Sequence, residues 1–125
     1  MVEQRRILIV DDDPAVLLIL RTSLERMRHS CQIVTAHNGA EALRQTAAQP
    51  VDLIITDVRM PGIDGIELVK KLRALGSDTE VIWITAYGCG GLEEESNLLD
   101  VFRCLDKPLR IGAIRHAFKD ALGMK

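Results

Sequence analysis

Apolar positions along this chain follow two rhythms. Short Val- and Ile-rich runs at 7–10, 33–36, 51–56, 81–85 and 101–105 read as five β-strands. Between them apolar residues recur at helical spacing: Val16, Leu17, Leu20, Leu24 and Met27; then Ile66, Val69 and Leu72; then Ile111, Ile114, Phe118 and Leu122. Asp13-Pro14 supplies an N-cap followed by proline at the first helical position, and Asn38-Gly39 punctuates the turn before the helix at 40–48. Glu93, Glu94 and Glu95 mark the start of the weakest helix, where acidic side chains suit the helix dipole.

Strands that alternate with helices form a parallel sheet, because parallel neighbours need long crossovers, and the right-handed crossover rule then places helices on both faces. The expected class is an open α/β sandwich of five strands and five helices. Ligands in such sheets bind beyond the carboxyl ends of the strands, so polar residues there carry the most functional weight.

Four strand ends carry such residues: Asp11, Asp12 and Asp13 after the first, Thr56-Asp57 at the third, Thr85-Ala86 at the fourth and Asp106-Lys107-Pro108 at the fifth. Taken singly, Asp13 reads as an N-cap, Asp57 as turn chemistry and Thr85 as a structural strand end. Taken together they gather carboxylates, a hydroxyl and an ammonium group in one shallow pocket. Crowded carboxylates repel unless a cation offsets them. Oxygen ligands without Cys or His suit a hard ion, Mg²⁺ above all. Mg²⁺ with Lys107 and Thr85 makes a phosphoryl site, and Asp57 at its centre is the candidate nucleophile.

Composition narrows the classes. The 125 residues match one domain, expected to span 1–125, and 47% hydrophobic with 27% charged residues is ordinary globular composition. A net charge of −2 lacks the basic field of a nucleic-acid-binding domain. No run is long enough for a membrane span and residues 1–6 lack a signal-peptide pattern, so a cytoplasmic location is expected. Cys31, Cys89 and Cys104 form no CxxC pair, and reduced thiols are the default reading. His29, His37 and His116 are scattered singly and receive no role.

The segments ILIVDDDP (7–14), DLIITDVRMPGIDGIEL (52–68), VIWITAY (81–87) and LDKPL (105–109) closely resemble the receiver domains of bacterial response regulators, the CheY-like family of two-component systems. The resemblance implies a flavodoxin-like fold with strand order 2-1-3-4-5. It makes Asp57 the phosphorylated residue. It makes Asp12 and Asp57 direct Mg²⁺ ligands, Asp11 a ligand through water and the Arg59 backbone carbonyl a further one, with Mn²⁺ an acceptable substitute. Lys107 resembles the lysine that contacts acceptor and phosphoryl group, Thr85 the hydroxyl that moves onto it, and Ala86 the backbone N–H donor beside it. Lys107-Pro108 is implied to be a cis peptide.

The resemblance further implies a sensor histidine kinase or histidine phosphotransfer protein as donor, an effector or fused output domain downstream, and no direct contact with nucleic acid or membrane. The receiver accepts its own phosphoryl group and dephosphorylates itself, so it is not a turnover enzyme. Its output face is built from helix four, strand five and helix five, at roughly 90–122, and is also where a homodimer would form.

Two features depart from the family pattern. Cys104 stands where an aromatic usually turns inward, and period-two alternation puts Phe102 on the same strand face as a partial substitute. Gly88-Cys89-Gly90-Gly91 weakens helix propensity, so a mobile segment is expected at 88–100. Arg59 and Tyr87, both large, occupy the positions that tune water access, and slow dephosphorylation is expected. Competing readings are a pseudo-receiver that binds partners without phosphorylation, a haloacid-dehalogenase-type phosphatase and an FMN carrier. Pro14 opposes the phosphatase, whose motif wants Thr or Val there, and the acidic first turn would repel the FMN phosphate.

Overall fold

A computed structural model describes residues 4–27 and 31–123. Five parallel strands, β1 (Arg5–Val10), β2 (Cys31–Ala36), β3 (Leu53–Asp57), β4 (Glu80–Thr85) and β5 (Arg103–Asp106), form one sheet in the order β2-β1-β3-β4-β5. The helices are α1 (Pro14–Glu25), α2 (Gly39–Ala48), α3 (Gly65–Ala74), α4 (Glu93–Leu98) and α5 (Ile111–Ala121), with a 3₁₀ turn at Cys89–Leu92 before α4. This is the flavodoxin-like topology expected above.

The central strands read as continuous apolar runs because both of their faces are covered. Alternate residues divide between two layers. Ile7, Ile9, Leu53, Ile55, Ile82 and Ile84 pack under α1 and α5 against Leu17, Leu20, Leu24, Ile114 and Phe118. Leu8, Val10 and Ile54 face α2 and α3 through Ala42, Leu68 and Leu72, and Trp83 with Val81 and Val58 meets Val69 of α3 farther along that side. Three helices start on side-chain caps: Asp13 accepts from the Ala15 N–H, Asn38 from Glu41 and Asp64 from Glu67.

Several expectations need correction. The fifth strand begins at Arg103, two residues later than the apolar run, so Phe102 precedes it. Phe102 is 39% exposed with the Arg103 guanidinium 5.1 Å from its ring, and it does not take the interior place beside Cys104. Ile111, counted on the buried face of α5, is 51% exposed and lines a shallow surface groove with Leu18 and Ile19 of α1. The expectation of reduced thiols also fails for two of the three cysteines, since Cys89 and Cys104 form a disulfide with Cα atoms 5.9 Å apart. Their separation by 15 positions hid this pair, because the β4-to-β5 crossover carries the chain out through α4 and back alongside its own start. His29 lies outside the described residues. His37 meets Glu41 and His116 meets Asp120 at the surface.

Gly65 shows how tightly α3 sits against the end of β3. A Cβ there would overlap the Asp57 carbonyl oxygen and stand 2.9 Å from Val58 Cα, and both obstacles are backbone. Gly65→Ala is therefore expected to cost about 2–3 kcal/mol, read from a urea unfolding curve. A loss below ~0.5 kcal/mol, the range of an ordinary surface substitution, would show that the β3–α3 loop yields freely.

Candidate functional site

Register decides which side chains meet. Val10 pairs with Thr56, Asp57 with Ile84, and Thr85 with Asp106, so β1, β3, β4 and β5 end at nearly one level. The residues just beyond these ends converge. Backbone bonds hold the rim in place: the Val58 N–H donates to the Ile84 carbonyl at 2.9 Å and the Lys107 N–H to the Thr85 carbonyl at 2.8 Å.

Asp11 is 1% exposed and Asp57 6%, whereas Asp12 is exposed at the rim. One carboxylate oxygen from each of the three lies within 4.8 Å of the others. The Lys107 ammonium donates to Asp57 Oδ2 at 3.1 Å and to Asp11 Oδ2 at 3.3 Å, bridging the two buried carboxylates. Asp57 Oδ1 accepts from the Arg59 N–H at 3.3 Å, and Asp11 Oδ1 from the Asp13 N–H at 2.9 Å. The Lys107-Pro108 peptide is cis.

Charge at the site is unbalanced. Burial raises the Asp11 pKa above the usual carboxylate range, and the Asp57 charge adds to this against the lowering effects of the Asp13 N–H and Lys107. For Lys107, burial works to lower the pKa. Its hydrogen bond to Asp57 and the charges of Asp11 and Asp57 outweigh burial, and the ammonium form is favoured. One cation thus faces three carboxylates. Oxygen donors alone, two of them buried, with no His or Cys among them, match a hard divalent ion. These residues fit Mg²⁺ on that ground.

Thr85 is buried, and its Oγ1 accepts from the Tyr87 N–H at 3.0 Å. Ala86 is exposed beside it. Arg59 places its guanidinium 5.1 Å from the centroid of the Tyr87 ring, and both side chains line the same surface hollow with Thr85 and Gly88. Cys104 is half-buried against Trp83 and Val81 and is tied to Cys89, while Phe102 stays outside.

Two sets of contacts escaped sequence reading. Asp106 accepts from the Cys89 N–H at 2.9 Å and so anchors the turn after β4 to the end of β5. Arg73 of α3 donates to the carbonyls of Leu99 at 2.8 Å, Asp100 at 3.3 Å, Ser77 at 3.0 Å and Thr79 at 2.8 Å. It holds the far end of α4, where Asp100 adopts a left-handed backbone with φ of 57°. Nothing in a solitary Arg on a helix face announces carbonyl partners so far along the chain.

Comparison with known proteins gives the family of the chain and bears out its fold. The family model for the response regulator receiver domain matches residues 7–119. The chain is 34% identical over 120 residues to sporulation initiation phosphotransferase F of Bacillus subtilis, covering 96% of this chain and 95% of that protein. It is 37% identical over 116 residues to the transcriptional regulatory protein GlrR of Escherichia coli, covering 93% of this chain but only 26% of that one. Among solved structures, the response regulator TrrA of Thermotoga maritima in complex with Mg²⁺ and BeF superposes with a TM-score of 0.82 at 31% identity, over 94% of this chain and 98% of that one. No helix among the described residues is long and apolar enough to cross a membrane. With the family model spanning nearly all of the sheet and its helices, the chain belongs to the response regulator receiver domain family of two-component signalling proteins.

Proposed function

We propose that the chain is a phosphorylation switch in which Asp57 accepts a phosphoryl group from a phosphohistidine on a sensor histidine kinase or histidine phosphotransfer protein, in the cytoplasm. The observation that carries this reading is the Lys107 ammonium set between the buried carboxylates of Asp57 and Asp11 with Asp12 beside them. Asp11, Asp12, Asp57 and the Arg59 carbonyl would hold Mg²⁺ or Mn²⁺. When bound, the ion supplies charge neutralisation for the phosphoryl oxygens.

The remaining work falls to the chain. An Asp57 carboxylate oxygen attacks phosphorus in line, the P–N bond breaks, and the imidazole nitrogen keeps the electron pair. Lys107, already 3.1 Å from Asp57 Oδ2, follows the charge onto the phosphoryl group. Thr85 and the Ala86 N–H donate to its oxygens. For Thr85, whose Oγ1 now accepts from the Tyr87 N–H, this means turning its hydroxyl toward the phosphoryl group, so phosphorylation at β3 is passed to the chain after β4. That movement biases a two-state equilibrium of the face formed by α4, β5 and α5, the surface through which an effector or a second receiver would read the signal. Water then returns Asp57 to its free form.

Intact-mass spectrometry after incubation with acetyl phosphate and Mg²⁺ tests the reading: one phosphoryl adduct is expected, and none in Mg²⁺-free buffer. Unmodified protein in both conditions would move the chain to the pseudo-receivers. Persistence of the adduct depends on Arg59 and Tyr87, which stack beside the hollow at Thr85. If that pair hinders water by about 1 kcal/mol, Arg59→Ala/Tyr87→Ala shortens the phosphate lifetime roughly fivefold. An unchanged lifetime would remove both side chains from that role.

A further inference from the structure

The β4-to-β5 crossover is loosely anchored. Helix α4 is six residues long, buries none of its residues and has no side-chain cap, and Gly88, Gly90 and Gly91 precede it. Besides the bond from the Cys89 N–H to Asp106, three devices hold it. Arg73 grips the carbonyls at its far end, Leu92 and Leu99 pack partly against the Trp83 cluster, and the Cys89–Cys104 disulfide closes the near end.

The disulfide is not needed to make the domain fold. Two continuous apolar layers cover the sheet, and a chain of this size builds its core without covalent staples. The bond instead sits at the junction the switch must move. Cys89 lies four positions after Thr85, its N–H donates to Asp106, and Cys104 stands in register with Trp83 on β5. A Cα separation of 5.9 Å falls within the range at which two cysteines bridge without backbone movement. Cys31 cannot compete, because β2 and β5 are opposite edges of the five-stranded sheet, four strand spacings or about 19 Å apart. In a reducing compartment, a protein disulfide of this kind is a transient, sensing bond.

We propose that Cys89 and Cys104 are a reversible thiol–disulfide site that locks the 89–104 segment when oxidised and releases it when reduced, so that redox state decides whether phosphorylation of Asp57 rearranges the α4 face. The coupling half of this proposal rests on the phosphoacceptor reading, whereas the lock itself does not. The oxidant is a small-molecule disulfide of the glutathione type. The Cys89 thiolate, on the glycine-rich turn, attacks one of its sulfurs and expels one thiolate. The Cys104 thiolate then attacks the Cys89 sulfur and expels the second. Two protein thiols lose two protons and two electrons, and the small disulfide becomes two thiols. A dithiol reductant reverses both steps.

Closure of this loop restrains the segment where the glycines otherwise loosen it, and the mobile 88–100 stretch expected from sequence is then a property of the reduced form. Oxidised glutathione should convert the reduced full-length chain to a form lighter by two hydrogens, with the Cys89 and Cys104 peptides linked and Cys31 unmodified. Amide hydrogen exchange in 90–101 should be at least about tenfold slower in that form, with β1 and β3 unchanged. Trp83, the sole tryptophan, packs with Cys104, and its emission should rise on reduction as the quenching disulfide is lost. Cys89→Ser and Cys104→Ser, made singly, should each abolish all three responses, and Cys31→Ser should keep them.

With acetyl phosphate and Mg²⁺, phosphorylation should alter exchange in α4 in the reduced chain and at least about fivefold less in the oxidised one. Failure of the pair to crosslink, or crosslinking with equal exchange rates, would overturn the lock. An equal response of the two forms to phosphorylation would overturn the coupling. Absence of any adduct in either form would overturn the phosphoacceptor reading and the coupling with it, leaving the crosslink and exchange results to decide the lock by themselves.

Discussion

Asp57→Asn is expected to abolish the acetyl phosphate adduct completely while leaving the metal-free protein no less stable than the parent. The first effect follows from chemistry, since an amide oxygen is too weak a nucleophile to replace a carboxylate in the attack on phosphorus. The second follows from the charge balance of the pocket. Three carboxylates face one ammonium, and the Asp57 charge helps to push the Asp11 pKa upward. An Asn of the same shape keeps one acceptor oxygen and so only one of the two hydrogen bonds from Lys107 and the Arg59 N–H, but it leaves Lys107 paired with Asp11 and removes one repelling charge. A gain of roughly 1 kcal/mol in urea unfolding without metal is the expected result. Added Mg²⁺ should then stabilise the parent by mass action and the variant far less, because one ligand is gone. A clear loss of stability in metal-free buffer would show that Lys107 needs Asp57 more than Asp11 suffers from it. A surviving adduct would place the acceptor elsewhere, with Asp12 the nearest alternative.

The site was legible because its parts sit where the topology obliges them to meet. Once β1, β3, β4 and β5 are read as parallel neighbours, Asp11, Asp57, Thr85 and Lys107 follow at their carboxyl ends, and a hard-ion pocket follows from their chemistry. The cap at Asp13 was equally legible, where one side chain satisfies a backbone N–H two residues on, whereas Asn38, read only as part of a turn, proves to cap α2 in the same way. What sequence could not supply were contacts whose partners lie across a crossover. Cys89 and Cys104 are separated by 15 positions, and their approach depends on the path of α4, the helix with the weakest pattern of all. Arg73 reads as a solvated charge on α3 until the α4–β5 turn is folded over it.

Phe102 illustrates the limit of period-two reasoning. Alternation puts residues 102 and 104 on one face only if both lie in the strand, and β5 starts at Arg103. One residue of difference at a strand end moves an aromatic ring from the interior to a surface stack on Arg103. The aromatic bulk on this side comes instead from the neighbouring strand, through Trp83.

Trp83→Ala is accordingly expected to be the most destabilising core substitution on the α3–α4 side, at about 3–5 kcal/mol. Trp83 is fully buried, packs with Val58, Val69 and Val81, and donates its indole N–H to the Gly65 carbonyl at 3.3 Å. Truncation opens a void directly beneath Cys104 and Leu92, leaves the Gly65 carbonyl without that donor, and strikes the layer with the fewest alternative contacts. Such a loss is a large share of the ~5–15 kcal/mol that holds a domain together. Urea unfolding followed by far-ultraviolet circular dichroism measures it without relying on the deleted fluorophore. Trp83→Phe keeps the ring and gives up only the hydrogen bond and some volume, so it should recover more than half of the loss. The deficit of Trp83→Ala should also persist in reduced protein, since it comes from packing and not from the disulfide. A cost below ~1 kcal/mol would mean that α3 and the α4 segment settle into the vacated space, and that the interior aromatic on this side is a tolerance of the fold and not its support.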